Sequence, residues 1–363
     1  DGYVFFKQKQ NVQFGDYHIA FAEMLAEIQD YCQARDVPFL FVLNPEKAAV
    51  YPDKLRDGIH YDRSWVQQFE QKLDELGVNY IDNTQLLQDR RAEGEQVFNK
   101  VYNAGHWNDL GAFYGVNNIL ESLSGFFPSI QPNELGDFAV TETLQETLLS
   151  SQFPIHEYEP TFGRLCELEV KTEEYDAEVA RNSQHRGFGY FVNPENVAAG
   201  APKTLVFQGS YMNEMGFKFL QTGLGEYIYV HNYENLMDFD YYFNIFQPEC
   251  VVVEVAEYTV NSGYFNAERV ENFSLNPVLT LDDAARQADK QSLAPQIAEG
   301  ERLSTLTVSL PEGTRYAYLL SEGRTFDLIE GEQGWQASVE KENLSADYTV
   351  VAVGADGEQT RYR

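Results

Sequence analysis

Three segments in the first third of the chain carry apolar residues at helical spacing. An apolar position every three or four residues predicts a helix with one buried face. The segments are residues 17–35, residues 66–76 and a helix that starts around Asn108 and Asp109. Gly77 directly follows the second segment, and glycine is common just beyond the end of a helix.

Short, continuous apolar runs alternate with helical segments. They lie at residues 37–43, 78–81, 204–207, 227–230 and 250–255. Such runs are typical of parallel strands that are covered on both faces. The chain is therefore predicted to form an α/β fold, with a parallel sheet flanked by helices. Ligands bind beyond the carboxyl ends of such strands, which places Asn44, Ser210 and Glu257 on one rim.

The middle and the end of the chain differ from the first part in composition and in the spacing of apolar residues. Residues 128–200 have weak periodicity and are predicted to be an irregular excursion around the active site, not a separate domain. Residues 281–300 are predicted to be a connector with some helical tendency. Short alternating runs separated by turns begin at about residue 303 and predict a small β-sandwich. The predicted division is an α/β domain at 1–275, a connector at 276–300 and an all-β domain at 301–363.

The chain is strongly acidic, with 57 Asp and Glu against 26 Lys and Arg and a formal net charge of -31. A phosphate backbone would be repelled, so nucleic acid is excluded as a partner. The histidines show no metal-like pairing, and we expect neither a metal nor a cofactor. No apolar run reaches the roughly 18 residues of a membrane span, and no signal peptide is visible.

The cysteines are Cys32, Cys166 and Cys250, and they lie far apart in the chain. This spacing excludes a cysteine-rich zinc site and a disulfide scaffold. Two alternatives remain, which are one disulfide with a leftover thiol or three small buried residues. Cysteine usage therefore does not decide the compartment.

Ser210 lies between a predicted strand and a predicted helix. A serine at such a turn projects from the rim of the sheet, and nearby backbone N–H groups can stabilise an oxyanion. The same position also suits an ordinary N-cap serine. Ser210 is therefore a candidate nucleophile with a structural alternative.

His106 lies in a loop just before a helix, next to Trp107. A histidine in this place can act as a general base toward a serine from the other half of the sheet. The alternative is a structural role. The other histidines have no comparable context, and they are His18, His60, His156, His185 and His231.

Five pieces of the first 260 residues occur in an order known from one family. They are DGYVFF at 1–6, VLNPEKAAVYP at 42–52, HWNDLGA at 106–112, LVFQGSY at 205–211 and PECVVVEVAEY at 248–258. With this ordered set the chain resembles the bacterial alginate O-acetyltransferase-like proteins, also called DHHW proteins, a branch of the SGNH hydrolases. The resemblance implies an SGNH-hydrolase-like fold. The start of the chain within the first piece suggests that a leader or anchor precedes it.

The resemblance implies that Ser210 is the nucleophile and His106 the base of an enzyme that transfers or removes acetyl groups. The substrate would be an exported polysaccharide, at the cell surface or outside the cell, and a membrane-bound acyl-transfer protein would be a further partner. Four residues near the expected site are candidates for binding, namely Lys47, Trp107, Asn108 and Tyr211. Trp107 would either stack on a sugar ring or pack the loop into the core, and Lys47 would hold a carboxylate or sugar or be solvated.

The sequence departs from the family pattern at three positions. Ala104 replaces the aspartate that orients the histidine, Tyr258 replaces an arginine, and Gly209 replaces a polar residue. Loss of the orienting acid costs on the order of 10⁴ in rate in the serine protease template. Asp109 or Asn103 are candidate substitutes for that acid. The alternative function is a catalytically impaired scaffold that binds glycan or a surface-assembly partner.

Overall fold

The computed structural model of the protein describes residues 2–6, 12–149 and 151–363. Asp1, the first residue of the first family-like piece, lies outside the described residues. The strands, in chain order, are β1 Phe39–Asn44, β2 Tyr80–Asp82, β3 Phe138–Thr147, β4 Pro154–Arg164, β5 Glu169–Val170, β6 Phe188–Val192, β7 Lys203–Gln208, β8 Glu226–His231, β9 Cys250–Ala256, β10 Arg286–Ala288, β11 Gln296–Glu299, β12 Leu303–Val308, β13 Thr314–Ser321, β14 Arg324–Gly331, β15 Gly334–Glu340, β16 Thr349–Gly354 and β17 Gln359–Tyr362.

Helices surround the first sheet. The α-helices are α1 Asp16–Gln33, α2 Lys47–Val50, α3 Ser64–Leu76, α4 Thr84–Ala92, α5 Asp109–Ser124, α6 Thr172–Asp176, α7 Pro194–Ala198, α8 Phe217–Gly223, α9 Phe239–Phe246 and α10 Ala267–Glu271. A π-helical turn, Met212–Gly216, directly precedes α8.

The first sheet has seven strands in the order β2-β1-β9-β7-β8-β6-β5. The pairs from β2 through β8 are parallel, and β6 and β5 add an antiparallel edge. Strands β1, β7 and β9 are almost entirely buried, because helices cover both faces of the sheet. The predicted α/β fold with a parallel sheet between helices is confirmed.

The helix boundaries follow local signals in the sequence. Gly77 has a left-handed φ of 69° at the end of α3, a conformation that glycine adopts without a steric penalty. The Asn108 side chain accepts a hydrogen bond from the Gly111 N–H and caps α5. Asp109, which directly follows this cap, is instead bound to the Phe162 N–H and to Lys218.

The middle segment is more regular than its sequence suggests. Residues 138–164 contain the long antiparallel hairpin β3–β4, and β6 at Phe188–Val192 joins the main sheet. The outer side chains of the hairpin are exposed and mostly polar. Their lack of apolar periodicity explains why the sequence pattern did not predict these strands.

The C-terminal part forms a second sheet of eight strands, in the order β10-β17-β16-β13-β14-β15-β12-β11. β14 pairs with β13 over residues 324–328 and with β15 over residues 329–331, so one strand joins the two halves. Apolar side chains of both halves form a separate core. The predicted C-terminal β domain is thus present.

The segment predicted as a connector with helical tendency contributes strands to this second sheet. β10 pairs with β17, and β11 pairs with β12. Between them lies one short 3-10 turn at Lys290–Leu293. The sequence did not predict these two strands, because they are short, exposed edges of the sheet and have a polar composition. The exact domain boundaries stay a prediction.

Candidate active site

Ser210 follows the carboxyl end of β7 and begins the helical segment that contains the π turn. The preceding Gly209 N–H donates a 2.7 Å hydrogen bond to Glu254 Oε2 on the neighbouring strand β9. The second oxygen of Glu254 accepts a 2.7 Å bond from Asn44 Nδ2 at the end of β1. Three adjacent parallel strands therefore fix the serine turn from below.

Glu254 is fully buried beneath this turn, and burial raises its pKa to about 7. The hydrogen bonds from Gly209 and Asn44 act in the opposite direction and favour the charged form. The same network continues through Asn83, whose Nδ2 donates to Asn44 Oδ1 at 2.8 Å. Ser210 thus stands on a connected polar network inside the sheet.

The loop that carries His106 is held by hydrogen bonds to its backbone N–H groups. Asn103 Oδ1 accepts 3.0 Å hydrogen bonds from the backbone N–H groups of Gly105 and His106. Glu157 on β4 accepts bonds from the backbone N–H groups of Val101 and Tyr102, at 2.8 and 2.7 Å. The hairpin β3–β4 therefore supports the loop.

Lys47 lies beneath the same loop and is buried. Its Nζ donates to the carbonyl oxygens of Val4, Lys100 and Asn103, at 2.7, 3.0 and 3.3 Å. Burial lowers its pKa to about 8. All three donors of the ammonium group thus have protein acceptors, and the structure does not support the predicted binding role.

Ser210 and His106 are in direct contact. The distance from His106 Nε2 to Ser210 Oγ is 2.7 Å, the normal length of a hydrogen bond. Both side chains are partly exposed, so a substrate can reach them. The two residues that the sequence singled out in separate halves of the chain therefore meet at one end of the sheet.

Glu214 places a carboxylate beside His106, where Ala104 provides none. Its Oε2 lies 3.2 Å from His106 Nδ1, whereas Asn103 Nδ2 is 3.5 Å from the same nitrogen. A proton on Nδ1 that is donated to Glu214 leaves Nε2 free to accept a proton from Ser210. The arrangement has the connectivity of a Ser-His-acid triad, although the Glu214 side chain is 40% exposed.

Asp109 does not substitute for the missing aspartate. Its Oδ2 accepts a 2.8 Å bond from the Phe162 N–H and a 2.7 Å bond from Lys218 Nζ. These contacts join α5 to the hairpin and to α8, away from the imidazole of His106. Asp109 was therefore the wrong candidate for the orienting acid.

Tyr258 approaches the serine from the end of β9. Its hydroxyl lies 3.3 Å from Ser210 Oγ. Burial raises the pKa of Tyr258 to about 12, so the phenol stays protonated at neutral pH. A protonated hydroxyl in this place can donate a hydrogen bond to negative charge that develops near Ser210.

The predicted binding residues Trp107, Asn108 and Tyr211 are also buried. Trp107 Nε1 donates to the Tyr211 carbonyl at 3.0 Å, and Asn108 caps α5. A Cβ added at Gly115 would lie 2.4 Å from the Trp107 ring, so the glycine makes room for the indole. The Tyr211 hydroxyl donates to the carbonyls of Pro45 and Gly105. These residues support the site from inside the fold, and Trp107 takes the packing alternative. Contact of Asn108 and Tyr211 with a ligand stays a prediction.

A cavity of about 330 Å³ opens beside the Ser210–His106 pair. His106 and Tyr258, which both contact Ser210, line it. Aromatic side chains and the carboxylates of Glu46, Asp62 and Glu257 form much of the remaining wall. An acyl group bound at Ser210 would thus lie next to a site large enough for a sugar unit.

In the described residues no group of three or more His, Cys, Asp or Glu is arranged to hold a metal ion. Within the same part of the chain, no helix is both long and apolar enough to cross a membrane. The three cysteines are free, and Cys32 and Cys250 are buried while Cys166 is half-buried. A disulfide between them is therefore not formed in the structure.

A family model described as an SGNH hydrolase-like domain of the acetyltransferase AlgX matches residues 1–197, more than half of the chain. The protein belongs to this family. This match confirms the family resemblance that the sequence motifs predicted. No curated protein matches the sequence.

Solved structures share the fold of this AlgX-family protein at low sequence identity. Bacillus cereus PatB1 has a TM-score of 0.51 and 15% identity, over 69% of this chain and 93% of its own. A DHHW family protein from Eubacterium siraeum has a TM-score of 0.50 and 14% identity, over 73% of this chain and 91% of its own. At these sequence identities the comparison shows a shared fold and nothing further.

Two acids of the candidate site, Glu214 and Glu254, were not predicted from the sequence of this AlgX-family protein. Glu214 lies in a helical stretch without a recognisable motif, and a π turn changes which face of the helix it occupies. Glu254 has a usable signal, since a glutamate in the middle of the most apolar strand must be satisfied inside the sheet. A charged residue in the middle of a strand predicted to be buried is therefore a candidate site residue.

Proposed function

We propose that this AlgX-family protein transfers or removes acetyl groups on the hydroxyls of an exported polysaccharide. Ser210 is the nucleophile, His106 the general base and acid, and Glu214 the group that orients His106. The proposal places the protein outside the cytoplasmic membrane, with a membrane-bound acyl-transfer protein as a partner when it acts as a transferase. Family membership and the geometry of the site support it.

In the proposed reaction Ser210 Oγ attacks the carbonyl carbon of an acetyl ester, and its proton moves to His106 Nε2. The carbonyl π electrons move to oxygen, and the Ser210 N–H at the helix start and the Tyr258 hydroxyl stabilise this oxyanion. The ester C–O bond then breaks, and the departing alkoxide takes the proton from His106. An acetyl-serine and a free alcohol remain.

The second half of the reaction repeats these steps in reverse. A sugar hydroxyl or a water molecule gives its proton to His106 Nε2 and attacks the acetyl-serine. Collapse of the tetrahedral intermediate returns the proton to Ser210 Oγ. A sugar acceptor yields an acetylated polysaccharide, whereas water yields acetate, so the choice of acceptor separates a transferase from an esterase.

The observation that carries the proposal is the 2.7 Å contact between His106 Nε2 and Ser210 Oγ, with Glu214 at 3.2 Å from the other ring nitrogen. An N-cap serine needs no imidazole, and a structural histidine needs no serine with an adjoining open cavity. The three groups stand in the order that proton transfer requires.

The test is hydrolysis of p-nitrophenyl acetate by the wild type and by Ser210→Ala. We expect the variant to lose about 10³-fold or more in kcat/KM, since removal of a nucleophile disables the whole catalytic unit. Ser262→Ala, at an exposed loop position, is the matched control. Equal rates for wild type and Ser210→Ala would leave the second candidate, a glycan-binding scaffold, which the alanine at position 104 favours.

A further inference from the structure

His18 is a buried histidine on the wall of the cavity, on the side formed by α1. The Gly15 N–H donates a 3.3 Å hydrogen bond to its Nδ1. In a neutral imidazole whose Nδ1 accepts, the proton is on Nε2. Burial lowers the pKa of His18, which keeps the ring neutral and Nε2 a donor.

The Nε2 of His18 is buried and has no hydrogen-bond partner among the residues that the structure describes. Buried donors in folded proteins nearly always have an acceptor. The His18 ring also lines the cavity beside His106, although Nε2 itself is covered in the structure. An oxygen of a molecule in that cavity is the acceptor we expect once the ring turns Nε2 toward it. The reaction proposed for Ser210 does not use His18.

Aromatic rings surround His18 on this side of the cavity. The centroid of the Trp65 ring lies 5.0 Å from that of His18, and the rings of Tyr61 and Tyr264 line the same space. Such side chains combine an apolar face with a polar edge. A pyranose ring has the matching character, with C–H groups on its faces and hydroxyls around its edge.

The charge of the described cavity wall disfavours an acidic sugar. Glu46 and Asp62 line it together with Glu257, which is buried and paired with Arg63 at 2.8 Å, so the repulsive charge comes from Glu46 and Asp62. Burial together with the charge of Glu46 raises the pKa of Tyr264. Among the described lining residues, the one lysine is Lys47, whose Nζ is bonded to three backbone carbonyls. A uronate carboxylate would therefore meet repulsion and find no free cation there.

We propose that His18 and Trp65 form an acceptor subsite for an uncharged sugar unit, one oxygen of which accepts a hydrogen bond from His18 Nε2. The inference rests on the proposed function, since the same cavity reaches the Ser210–His106 pair. It adds the class of polysaccharide, which is a neutral glycan and not a uronate polymer.

The experiment measures binding to Ser210→Ala protein by calorimetry, so no turnover occurs. The probes are pentasaccharides of glucose, xylose, mannose and N-acetylglucosamine, and an oligogalacturonate of equal length. We expect at least one neutral probe to bind at least ten-fold more tightly than the oligogalacturonate. Tightest binding of the oligogalacturonate, or no binding of any neutral probe, would overturn the proposal.

Variants at position 18 test the hydrogen bond itself. We expect His18→Phe, which keeps a ring and removes the donor, to weaken binding of the neutral probe at least ten-fold. His18→Gln, which retains an N–H donor, should recover most of the loss and also guards against a folding defect. His156→Phe, at an exposed position of the hairpin, is the matched control. Equal affinity of His18→Phe and the unmodified Ser210→Ala protein would refute the subsite.

A charge variant separates the two parts of the inference. Asp62 is exposed at the cavity, and its Oδ1 accepts a 2.8 Å bond from the Ser64 N–H, which asparagine can also accept. In Asp62→Asn, the ratio of the affinity for the neutral probe to the affinity for the oligogalacturonate should fall about two-fold. An unaltered preference would contradict the role of cavity charge. The p-nitrophenyl acetate test of Ser210 is independent of these titrations, so failure of one does not imply failure of the other.

Discussion

The two segments that meet at the active site are supported in different ways. The His106 loop is bound on several sides by fixed groups, including the buried ammonium of Lys47 and the carboxylate of Glu157. The turn that begins at Ser210 rests on buried Glu254, but its acid, Glu214, is 40% exposed. His106 is therefore rigidly placed, while the Glu214 carboxylate beside it remains in contact with water.

This difference indicates how the site tolerates alanine at position 104. A buried aspartate in the loop would orient the imidazole from the same segment. Here the loop is held by backbone contacts, and the acid comes from another element. An exposed carboxylate contributes less than a buried one because water screens its charge. The dependence of the rate on this acid should accordingly be weaker than in the serine protease template.

Removal of the cation below the His106 loop should have the largest effect. Lys47→Met removes a buried ammonium and leaves the carbonyl oxygens of Val4 and Asn103 without this donor, while the Lys100 carbonyl keeps the Val4 N–H. We expect a loss of about 4 kcal/mol in the free energy of unfolding, measured by urea denaturation. Lys54→Met, at a partly exposed position, is the control and should cost less than about 0.5 kcal/mol. A stable Lys47→Met protein would show that the loop does not depend on this cation.

The support of the Ser210 turn predicts a dependence of stability on pH. The pKa of Glu254 is about 7 in the folded protein against 4.5 for an ordinary glutamate. Between these values the folded state holds a proton that the unfolded state has lost. The stability that this group contributes is complete below pH 4.5 and is lost as pH rises through 7.

We expect this one group to lower the free energy of unfolding by roughly 3 kcal/mol between pH 4.5 and 8. The free energy of unfolding, measured by urea denaturation, should change less steeply with pH for Glu254→Gln than for the wild type. Half-buried Asp240, whose pKa is also raised to about 7, adds a slope that both proteins share. Glu312→Gln controls for the change of net charge, and identical slopes in all three proteins would rule out the role of Glu254.

The exposed acid should matter for rate and not for stability. Glu214→Gln removes the charge next to His106 Nδ1, and we expect kcat for p-nitrophenyl acetate to fall about 10- to 100-fold. The melting temperature should change little, because the side chain is half-exposed. Glu195→Gln, on the surface helix α7, is the control. An unchanged kcat in Glu214→Gln would exclude an orienting role for this residue.

The smallest effect is expected at Tyr258. Tyr258→Phe removes a hydroxyl that lies 3.3 Å from Ser210 Oγ, a long hydrogen bond. We expect kcat to fall about five-fold, equivalent to about 1 kcal/mol of transition-state stabilisation. Tyr102→Phe, in the His106 loop, is the control. A loss as large as that of Ser210→Ala would mean that Tyr258 takes part directly in the chemistry.

Sequence patterns predicted the regular parts of the fold. Continuous apolar runs marked β1, β7 and β9 because strands buried on both faces contain little else. The hairpin β3–β4 escaped because its side chains are mostly solvent-exposed, so no period appears in its sequence. Edge strands β10 and β11 were missed for the same physical reason.

The candidate site could be predicted in part. Ser210 and His106 stood at turns with a recognisable local pattern, and the structure brings them into contact. Tyr211 was expected to contact ligand and Trp107 either to do so or to pack the loop into the core. The sequence does not reveal that both are buried under the loop. Glu214 and His18 depend on how distant elements pack around one cavity, and their neighbours in the chain carry no sign of it.

The π turn at Met212–Gly216 has a consequence for comparison among relatives. Such a turn accommodates one more residue than an α-helical turn, so shortening it by one position would rotate the glutamate by about 100° while the core of α8 keeps its packing. Gain or loss of a single codon would then decide whether the imidazole has a carboxylate beside it. Related chains with alanine two residues before the histidine should be grouped by the length of this turn.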